Sequence, residues 1–181
     1  RQARTVRDTD MATTVRHRVE VDQRALIDKI LARYATDFGA VRELIQNADD
    51  AGATEVEVAI EPTAEEPHAT ALRVWNNGRA FTDADWQRVR KIAAGNPDEE
   101  SVGLFGVGFF SVFALTDAPE IRSGGVRLRF TWQGETDLVA DESPLTPLQP
   151  GAAFVMPLKP SSDALEWAHG EERARLRGML A

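Results

Sequence analysis

Hydrophobic spacing predicts two consecutive helices near the start of the chain. After Asp22, a residue suited to cap a helix, hydrophobic side chains recur every three or four residues up to Tyr34. This period predicts an amphipathic helix that ends before Phe38 and Gly39. A second helix is predicted over about residues 40–51, and Gly52 ends it.

Two strands and a third helix follow. Hydrophobic and polar residues alternate over residues 55–60, as in a strand with one face on the core. A second strand begins near Leu72 and ends at residues 76–78, Asn-Asn-Gly, a sequence that favours tight turns. Thr82 and Asp85 have the spacing of a capping box, so we predict that a helix starts there. Its hydrophobic stripe comprises Trp86, Val89, Ile92 and Ala93.

A glycine-rich segment comes next. Gly95 ends the third helix, and a polar, acidic stretch separates it from Gly103, Gly106 and Gly108. The hydrophobic run at residues 109–113 predicts another helix directly after these glycines. The pattern is that of a loop that leads into a helix N-terminus.

The last third of the chain is predicted to contain mainly strands. Residues 123–125, Ser-Gly-Gly, precede an alternating stretch and predict a hairpin. A short strand at residues 138–139, a proline-rich loop at 143–151, a strand through 154–158 and a helix over 164–181 complete the pattern. These elements predict an α/β (α+β) two-layer sandwich, in which helices cover one face of a mixed, mostly antiparallel sheet.

The composition is that of one globular domain. The chain has 181 residues, of which 43% are hydrophobic and 28% charged. We divide it into an N-terminal tail with a short strand (1–20), a main domain (21–160) and a C-terminal helix (161–181) that leads to a missing remainder. We expect the sequence to be a fragment, because it does not begin with Met and its last segment has a helical pattern.

Charge and hydropathy narrow the classes of partner. The formal net charge of −8 disfavours nucleic acids as partners, because their binding needs clustered Lys and Arg. The sequence contains neither a membrane-length hydrophobic run nor a signal-like N-terminus, so we expect an intracellular, cytoplasmic protein, with a nuclear location left open. It contains no cysteine, which removes thiol and disulfide chemistry. His17, His68 and His169 lack partners at metal-ligand spacing.

The second helix carries the first candidate for chemistry. At about 100° per residue, Glu43, Asn47 and Asp50 lie within about 60° of one another, opposite a hydrophobic stripe. Two carboxylates and an amide in one column can supply a base, a cation ligand and a polar pocket wall. A solvated polar face explains the same pattern, and this helix alone leaves both interpretations open.

The glycine-rich segment carries the second candidate. Gly103, Gly106 and Gly108 allow backbone N–H groups to approach an anion closely, near a helix N-terminus with its partial positive charge. The GxxGxG spacing differs from the dinucleotide GxGxxG and from the P-loop, so neither of those motifs applies. A flexible loop remains the alternative to a phosphate site.

Three segments together resemble the GHKL superfamily, which comprises gyrase, heat-shock chaperones, histidine kinases and MutL. Residues 43–51 (ELIQNADDA) resemble its first ATP-site box, residues 76–78 the second, and residues 103–113 the lid glycine box of the chaperones. The longer strings 42–52 and 103–119 are particularly similar to the sacsin and plant Nov branch and to related fungal proteins. The resemblance spans about residues 20–158, and it implies the Bergerat ATP-binding fold.

The resemblance also implies a role for each matching residue. Glu43 corresponds to the general base that activates water, and Asn47 to the Mg²⁺ ligand. Asp50 and Ala51 correspond to pocket residues, and Gly78 to the glycine on which adenine rests. The phosphate-facing lid segment corresponds to Gly103, Gly106, Val107, Gly108 and Phe109.

Two positions depart from the family pattern. Asn76 stands where family members usually have an Asp that accepts a hydrogen bond from the adenine amino group. An Asn carbonyl can accept the same bond, but without charge assistance, and its other end is a donor. Ala152 stands where the chaperones have a Thr hydroxyl. These changes place the selectivity for adenine over guanine in question.

The resemblance implies a weak ATPase within a larger chaperone-like protein. It implies that ATP and Mg²⁺ bind, that a lid at about residues 95–108 closes, and that closure is coupled to other domains of the chain or to protein clients. We expect slow turnover, because in this superfamily the cationic group on the γ-phosphate generally comes from a following domain. The alternative is a nucleotide-gated or nucleotide-free interaction module without hydrolysis. The sequence does not indicate an oligomeric state.

Overall fold

The computed structural model describes residues 21–34, 37–62, 70–91, 107–159 and 175–177. The helices are α1 (Gln23–Tyr34), α2 (Asp37–Asp50), α3 (Asp83–Val89) and a 3₁₀ helix (Val107–Ala114). The strands are β1 (Glu55–Pro62), β2 (Thr70–Asn76), β3 (Glu120–Gln133), β4 (Asp137–Pro157) and β5 (Arg175–Arg177). No helix among these residues is long and apolar enough to cross a membrane.

The described strands form one sheet. Its strand order is β3-β4-β2-β1-β5, and every pair of neighbours is antiparallel. Leu72 and Val74 of β2 are buried in one core with Leu44 and Ala48 of α2, so the helices pack on that face of the sheet. This confirms the predicted two-layer α/β sandwich. The described part of the sheet is wholly antiparallel, in keeping with the predicted mostly antiparallel sheet, and it contains no parallel pair.

The first two helices form where the hydrophobic period predicted them, with one difference in their bounds. α1 ends at Tyr34, as expected. α2 begins at Asp37, so Gly39 lies inside its first turn and does not interrupt the chain between the two helices. A glycine in a helix costs only about 1 kcal/mol relative to alanine, and burial of the hydrophobic face of α2 offsets that cost.

The capping box of α3 is confirmed. The Thr82 hydroxyl accepts a hydrogen bond from the Asp85 backbone N–H, and the Asp85 carboxylate accepts one from the Thr82 backbone N–H. The helix ends at Val89. The predicted stripe residues Ile92 and Ala93 lie outside the described residues.

The hydrophobic run after the glycine-rich segment forms the 3₁₀ helix, where we predicted a helix of unspecified type. Its phenylalanines are buried and stack with one another and with the sheet, notably Phe109 with Phe130 and Phe154. A helix that is hydrophobic on all sides has to lie inside the protein. This burial fixes the position of Gly108 at its start.

The predicted hairpin at residues 123–125 is wrong. β3 continues through these residues, and the turn to β4 lies about ten residues later, around Gly134 with its positive φ of 67°. The pairing register shifts around Gly124, whose φ is 56°, so this glycine serves a β-bulge. The predicted loop at 143–151 is likewise incorporated into the long strand β4.

The C-terminal segment differs from its prediction at three residues. Arg175–Arg177 form β5, which pairs antiparallel with residues 55–57 of β1, where we predicted a helix. The edge of β1 presents unpaired N–H and C=O groups, which favour strand addition over a helix. The rest of the 161–181 segment, and residues 1–20 with their predicted strand, lie outside the described residues.

Candidate functional site

The polar column of α2 is present, and its three members differ in exposure. Asn47 is only 8% exposed, Glu43 is partly buried, and Asp50 lies in solvent at the end of the helix. Leu44 and Ala48, on the adjacent face, are fully buried in the core. The middle of the column is therefore enclosed by protein, unlike the solvated polar face that we considered as the alternative.

Glu43 lies directly against the end of the glycine-rich segment. A Cβ atom added at Gly108 would lie 2.4 Å from Glu43 Oε2 and 3.2 Å from its Cδ. The carboxylate thus packs on the backbone at the start of the 3₁₀ helix, in space that any side chain at position 108 would fill. The fold brings the predicted base and the predicted phosphate segment together.

The other predicted residues of the glycine-rich segment are either outside the described residues or buried in the core. Gly103 and Gly106 lie outside the described residues, as does the side chain of Val107. The Phe109 ring is 1% exposed and belongs to the core. Only the backbone of Phe109 remains for a role in nucleotide binding.

Among the described residues, no group pairs with the side-chain polar atoms of Glu43 or Asn47. Within the part of the chain that the structure describes, neither side chain makes a hydrogen bond or an ion pair. Over the same residues, Trp132 Nε1 is the only fully enclosed side-chain N or O atom without a partner, so the Asn47 amide retains access to solvent. A mostly buried amide without a partner loses free energy unless a ligand or water satisfies it.

A second cluster lies where β2 ends. Asn76 is 3% exposed, and its Oδ1 accepts a hydrogen bond of 3.0 Å from the Gly78 backbone N–H. A Cβ atom at Gly78 would lie 2.9 Å from Ala51 Cβ and 3.0 Å from Ala51 O. The Arg79 N–H donates to that same Ala51 oxygen at 2.9 Å. Ala51, Asn76 and Gly78 therefore meet at the C-terminal end of α2, and this close approach requires glycine at position 78.

Asn77 holds this turn in place, a role that sequence reasoning missed. Its Oδ1 accepts hydrogen bonds from the backbone N–H groups of Thr54 (2.9 Å) and Glu55 (3.0 Å). Its Nδ2 donates to Thr54 Oγ1 at 3.0 Å. The two asparagines of the Asn-Asn-Gly turn thus have different roles. Asn76 contacts Gly78, and Asn77 links the turn to Thr54 and Glu55. The adjacent Asn residues signalled the turn but not this division.

Ala152 lies beside Asn76 in the sheet. Asn76 and Ser123 flank Ala152 on the two neighbouring strands, and the three residues share the face that carries the helices. The Ser123 hydroxyl donates to the Gly151 carbonyl at 2.5 Å and accepts from the Phe81 N–H at 2.9 Å. Gly151 has a φ of 64°, and a Cβ atom there would lie 1.9 Å from the Asn76 carbonyl oxygen. The Asn76 backbone therefore packs directly against Gly151, in space that a side chain at position 151 would fill.

A buried ion pair ties the same turn to α3. The Asp85 side chain is 2% exposed, and its Oδ2 lies 2.6 Å from Arg79 Nη1. Burial raises the pKa of Asp85, but hydrogen bonds from Arg79 and Thr82 outweigh that effect and lower this pKa to about 2. The hydrogen bond to Asp85 is also the main reason that the pKa of Arg79 is raised. The carboxylate therefore stays charged at neutral pH.

Arg90 lines two open cavities among the described residues, and Ser123 lines the larger of them. Their volumes are about 330 and 400 Å³, and neither is lined by a residue of α2 or of the turn at 76–78. An ion pair between Arg90 and Glu142 links α3 to β4 beside them. The described residues contain no group of three or more His, Cys, Asp or Glu side chains that could hold a metal ion.

The two-layer fold, with the acid and amide of α2 beside Gly108, is the arrangement expected of a GHKL-type domain. Sequence comparison specifies the family: a model described as the Sacsin domain matches residues 20–131. This match covers more than half of the chain, so the chain belongs to the Sacsin domain family. The predicted resemblance to the sacsin branch is confirmed.

Individual relatives agree with this assignment. The chain is 40% identical to human sacsin over 108 residues, which are 52% of this chain and 2% of sacsin. It is 33% identical to the protein NO VEIN of Arabidopsis thaliana over 100 residues, 54% of this chain and 4% of that protein. It is 35% identical to the chaperone protein HtpG of Methylobacterium sp. (strain 4-46) over 78 residues, 41% of this chain and 13% of HtpG. The chain is thus a sacsin-type, chaperone-like domain that spans a small part of each relative.

Proposed function

We propose that this domain binds ATP with Mg²⁺, and that it hydrolyses ATP slowly with Glu43 as the general base. One observation carries the proposal: the Glu43 carboxylate lies on the backbone of Gly108, one helical turn from the enclosed amide of Asn47. An acid, a hard oxygen ligand and glycine backbone at one place are the groups that phosphate hydrolysis needs.

Each group has a definite task in this proposal. Glu43 accepts a proton from the attacking water, which lies between its carboxylate and the terminal phosphate. Asn47 offers its Oδ1 to Mg²⁺, which prefers a few protein oxygens and completes its shell with water and phosphate oxygens. When bound, the ion neutralises charge on the phosphates. A metal held mainly by phosphate and water needs no cluster of carboxylates, so the donors present fit Mg²⁺.

The remaining site residues line the path to the base. Ala51 directly follows α2, eight residues beyond Glu43, a separation of about 12 Å at helical rise, which suits an elongated ligand along the helix. Gly78 lies against Ala51, and Asn76 beside them offers the polar contact to the base. Asp50, exposed at this end of the helix, borders the opening.

The lid and the wider protein complete the proposal. Residues 95–108 close over the nucleotide, and closure is transmitted to other domains of a larger protein or to protein clients. Similarity to sacsin and HtpG supports this chaperone-like setting. Slow turnover is expected because, in the superfamily that the chain resembles, the cation on the γ-phosphate generally comes from a following domain.

Calorimetry and phosphate release with Mg-ATP test the proposal. We expect the chain to bind Mg-ATP, and Glu43→Gln to keep that binding while turnover falls by at least about 100-fold. Asp49→Asn is the matched control, because it removes an equal charge from an exposed position of the same helix. Equal loss of turnover in both variants would contradict the role of Glu43.

The alternative, an interaction module without hydrolysis, is favoured by Asn76 and Ala152, which weaken the expected adenine contacts. The same titration separates the two functions. A folded chain that binds Mg-ATP but releases no phosphate acts as a nucleotide-gated module, and one that shows no heat of binding at millimolar Mg-ATP acts as a nucleotide-free module.

A further inference from the structure

The orientation of the Asn76 side chain determines which base this site accepts, an inference that rests on the proposed nucleotide site. The Gly78 backbone N–H is a donor, so the atom that faces it at 3.0 Å has to be the Asn76 oxygen and not the amide nitrogen. The Gly78 contact therefore fixes the two ends of the amide, since the opposite orientation would place two donors together.

The other end of the amide is a free donor. Among the described residues, Asn76 Nδ2 has no hydrogen-bond partner, although Asn76 is only 3% exposed. Nδ2 is also not a fully enclosed orphan atom, so it retains an opening to solvent. A nearly buried N–H donor of this kind requires an acceptor from a ligand or from water.

The two described residues that follow Asn76 across the sheet are an alanine and a serine whose hydroxyl is already hydrogen-bonded. Ala152, beside Asn76 on β4, has no polar side-chain atom. The next residue in the row, Ser123, already donates its hydroxyl proton to Gly151 and accepts the Phe81 N–H. Asn76 Nδ2 therefore decides the polar contact at this end of the site.

An aspartate at position 76 would behave differently. One carboxylate oxygen would accept the Gly78 N–H, and the second would present an acceptor to a base amino group. With asparagine, the second position is a donor, which pairs with a carbonyl oxygen and opposes an amino group. A site that buries a donor rejects a ligand that offers another donor, because both groups then lose their hydrogen bonds.

We propose that the base end of this site selects purines with a carbonyl at C6, and that such nucleotides bind more tightly than ATP. ITP is the sharpest probe, because its base differs from adenine by a C6 carbonyl in place of the amino group and by the accompanying N1 proton. GTP shares the carbonyl and adds a 2-amino group. Comparison of GTP with ITP thus reports on the opposite edge of the base.

Calorimetric titration of the chain with Mg-ITP and Mg-ATP tests this proposal. We expect ITP to bind about tenfold more tightly than ATP, the effect of one mismatched hydrogen bond. Asn76→Asp should reverse the order in favour of ATP, and Asn76→Ala should remove the preference. The alanine variant also tests the idea if a buried aspartate prevents folding.

Gln133→Glu is the control, because it adds the same charge at an exposed position at the end of β3, outside the residues assigned to the site. It should leave the ratio of ITP to ATP affinity unchanged. ATP binding as tightly as ITP, or more tightly, in the parent chain would overturn the proposal. Absence of binding by every nucleotide to every folded variant would instead overturn the proposed function itself.

Discussion

Removal of the buried charge at Asp85 should destabilise the domain in a pH-dependent manner. The folded-state pKa of Asp85 is about 2, below its ordinary value of 3.8. Because folding lowers this pKa, the folded chain stabilises the ionised form of Asp85 more than the unfolded chain does. The resulting stability is fully present above about pH 4, and it is lost as the pH falls through that value towards 2.

The size of the effect follows from the shift. A pKa that is lower by nearly two units corresponds to about 2 kcal/mol of unfolding free energy at neutral pH. Asp85 is 2% exposed, so its own contacts are poorly screened, although Arg79 on the other side of the pair is 40% exposed. Asp85→Asn keeps the shape and one acceptor oxygen, removes the charge and turns an N–H donor towards an arginine, so the pH-dependent part of its effect reports the charge.

Urea unfolding, followed by tryptophan fluorescence to which buried Trp86 on the same helix contributes, measures the effect. At pH 7, Asp85→Asn should lower the free energy of unfolding by about 2 kcal/mol, and its difference from the parent chain should shrink steadily below pH 4. Asp83→Asn is the control, since Asp83 is exposed in the first turn of α3 and its loss should cost less than about 1 kcal/mol. A difference that stays constant from pH 7 to pH 3, or equal losses in the two variants, would refute this reasoning.

Two glycine substitutions give further predictions. Gly108→Ala should displace the Glu43 carboxylate by about 1 Å and reduce ATP turnover by about 100-fold with little change in Tm, as measured by phosphate release and thermal melting. Gly125→Ala meets only the end of the Leu148 side chain and should leave turnover unaltered, so equal rates in the two variants would contradict the contact at Glu43. Gly151→Ala should lower stability by more than about 3 kcal/mol, because its φ is positive and the new Cβ would overlap the Asn76 backbone. A thermal melt that matches the parent would show that this approach is relieved without cost.

Elements defined by local signals could be predicted from the sequence. The hydrophobic period gave α1 and α2, alternation gave β1 and β2, and the Thr82-Asp85 spacing gave the cap of α3. Each of these patterns depends on residues a few positions apart, where backbone geometry alone decides which side chains meet. The proximity of Glu43 to Gly108 was expected only because of the resemblance to the GHKL superfamily.

Features that depend on long-range register could not be predicted. Gly124 resembles a hairpin glycine, but the pairing of β3 with a distant part of β4 makes it a bulge. The different tasks of Asn76 and Asn77 depend on Gly78 and Thr54, which only the folded chain places beside them. The depressed pKa of Asp85 likewise requires burial and Arg79 together, although the capping box had placed Asp85 at the helix start.

A crystal structure of the chain with Mg²⁺ and a non-hydrolysable nucleoside triphosphate analogue tests the account most directly. We predict that the terminal phosphate lies between the Glu43 carboxylate and the backbone of Gly108, with the Mg²⁺ ion on Asn47 Oδ1 and the base beside Asn76. Electron density for the nucleotide in the cavities beside Arg90, or a triphosphate remote from Glu43 and Asn47, would contradict it.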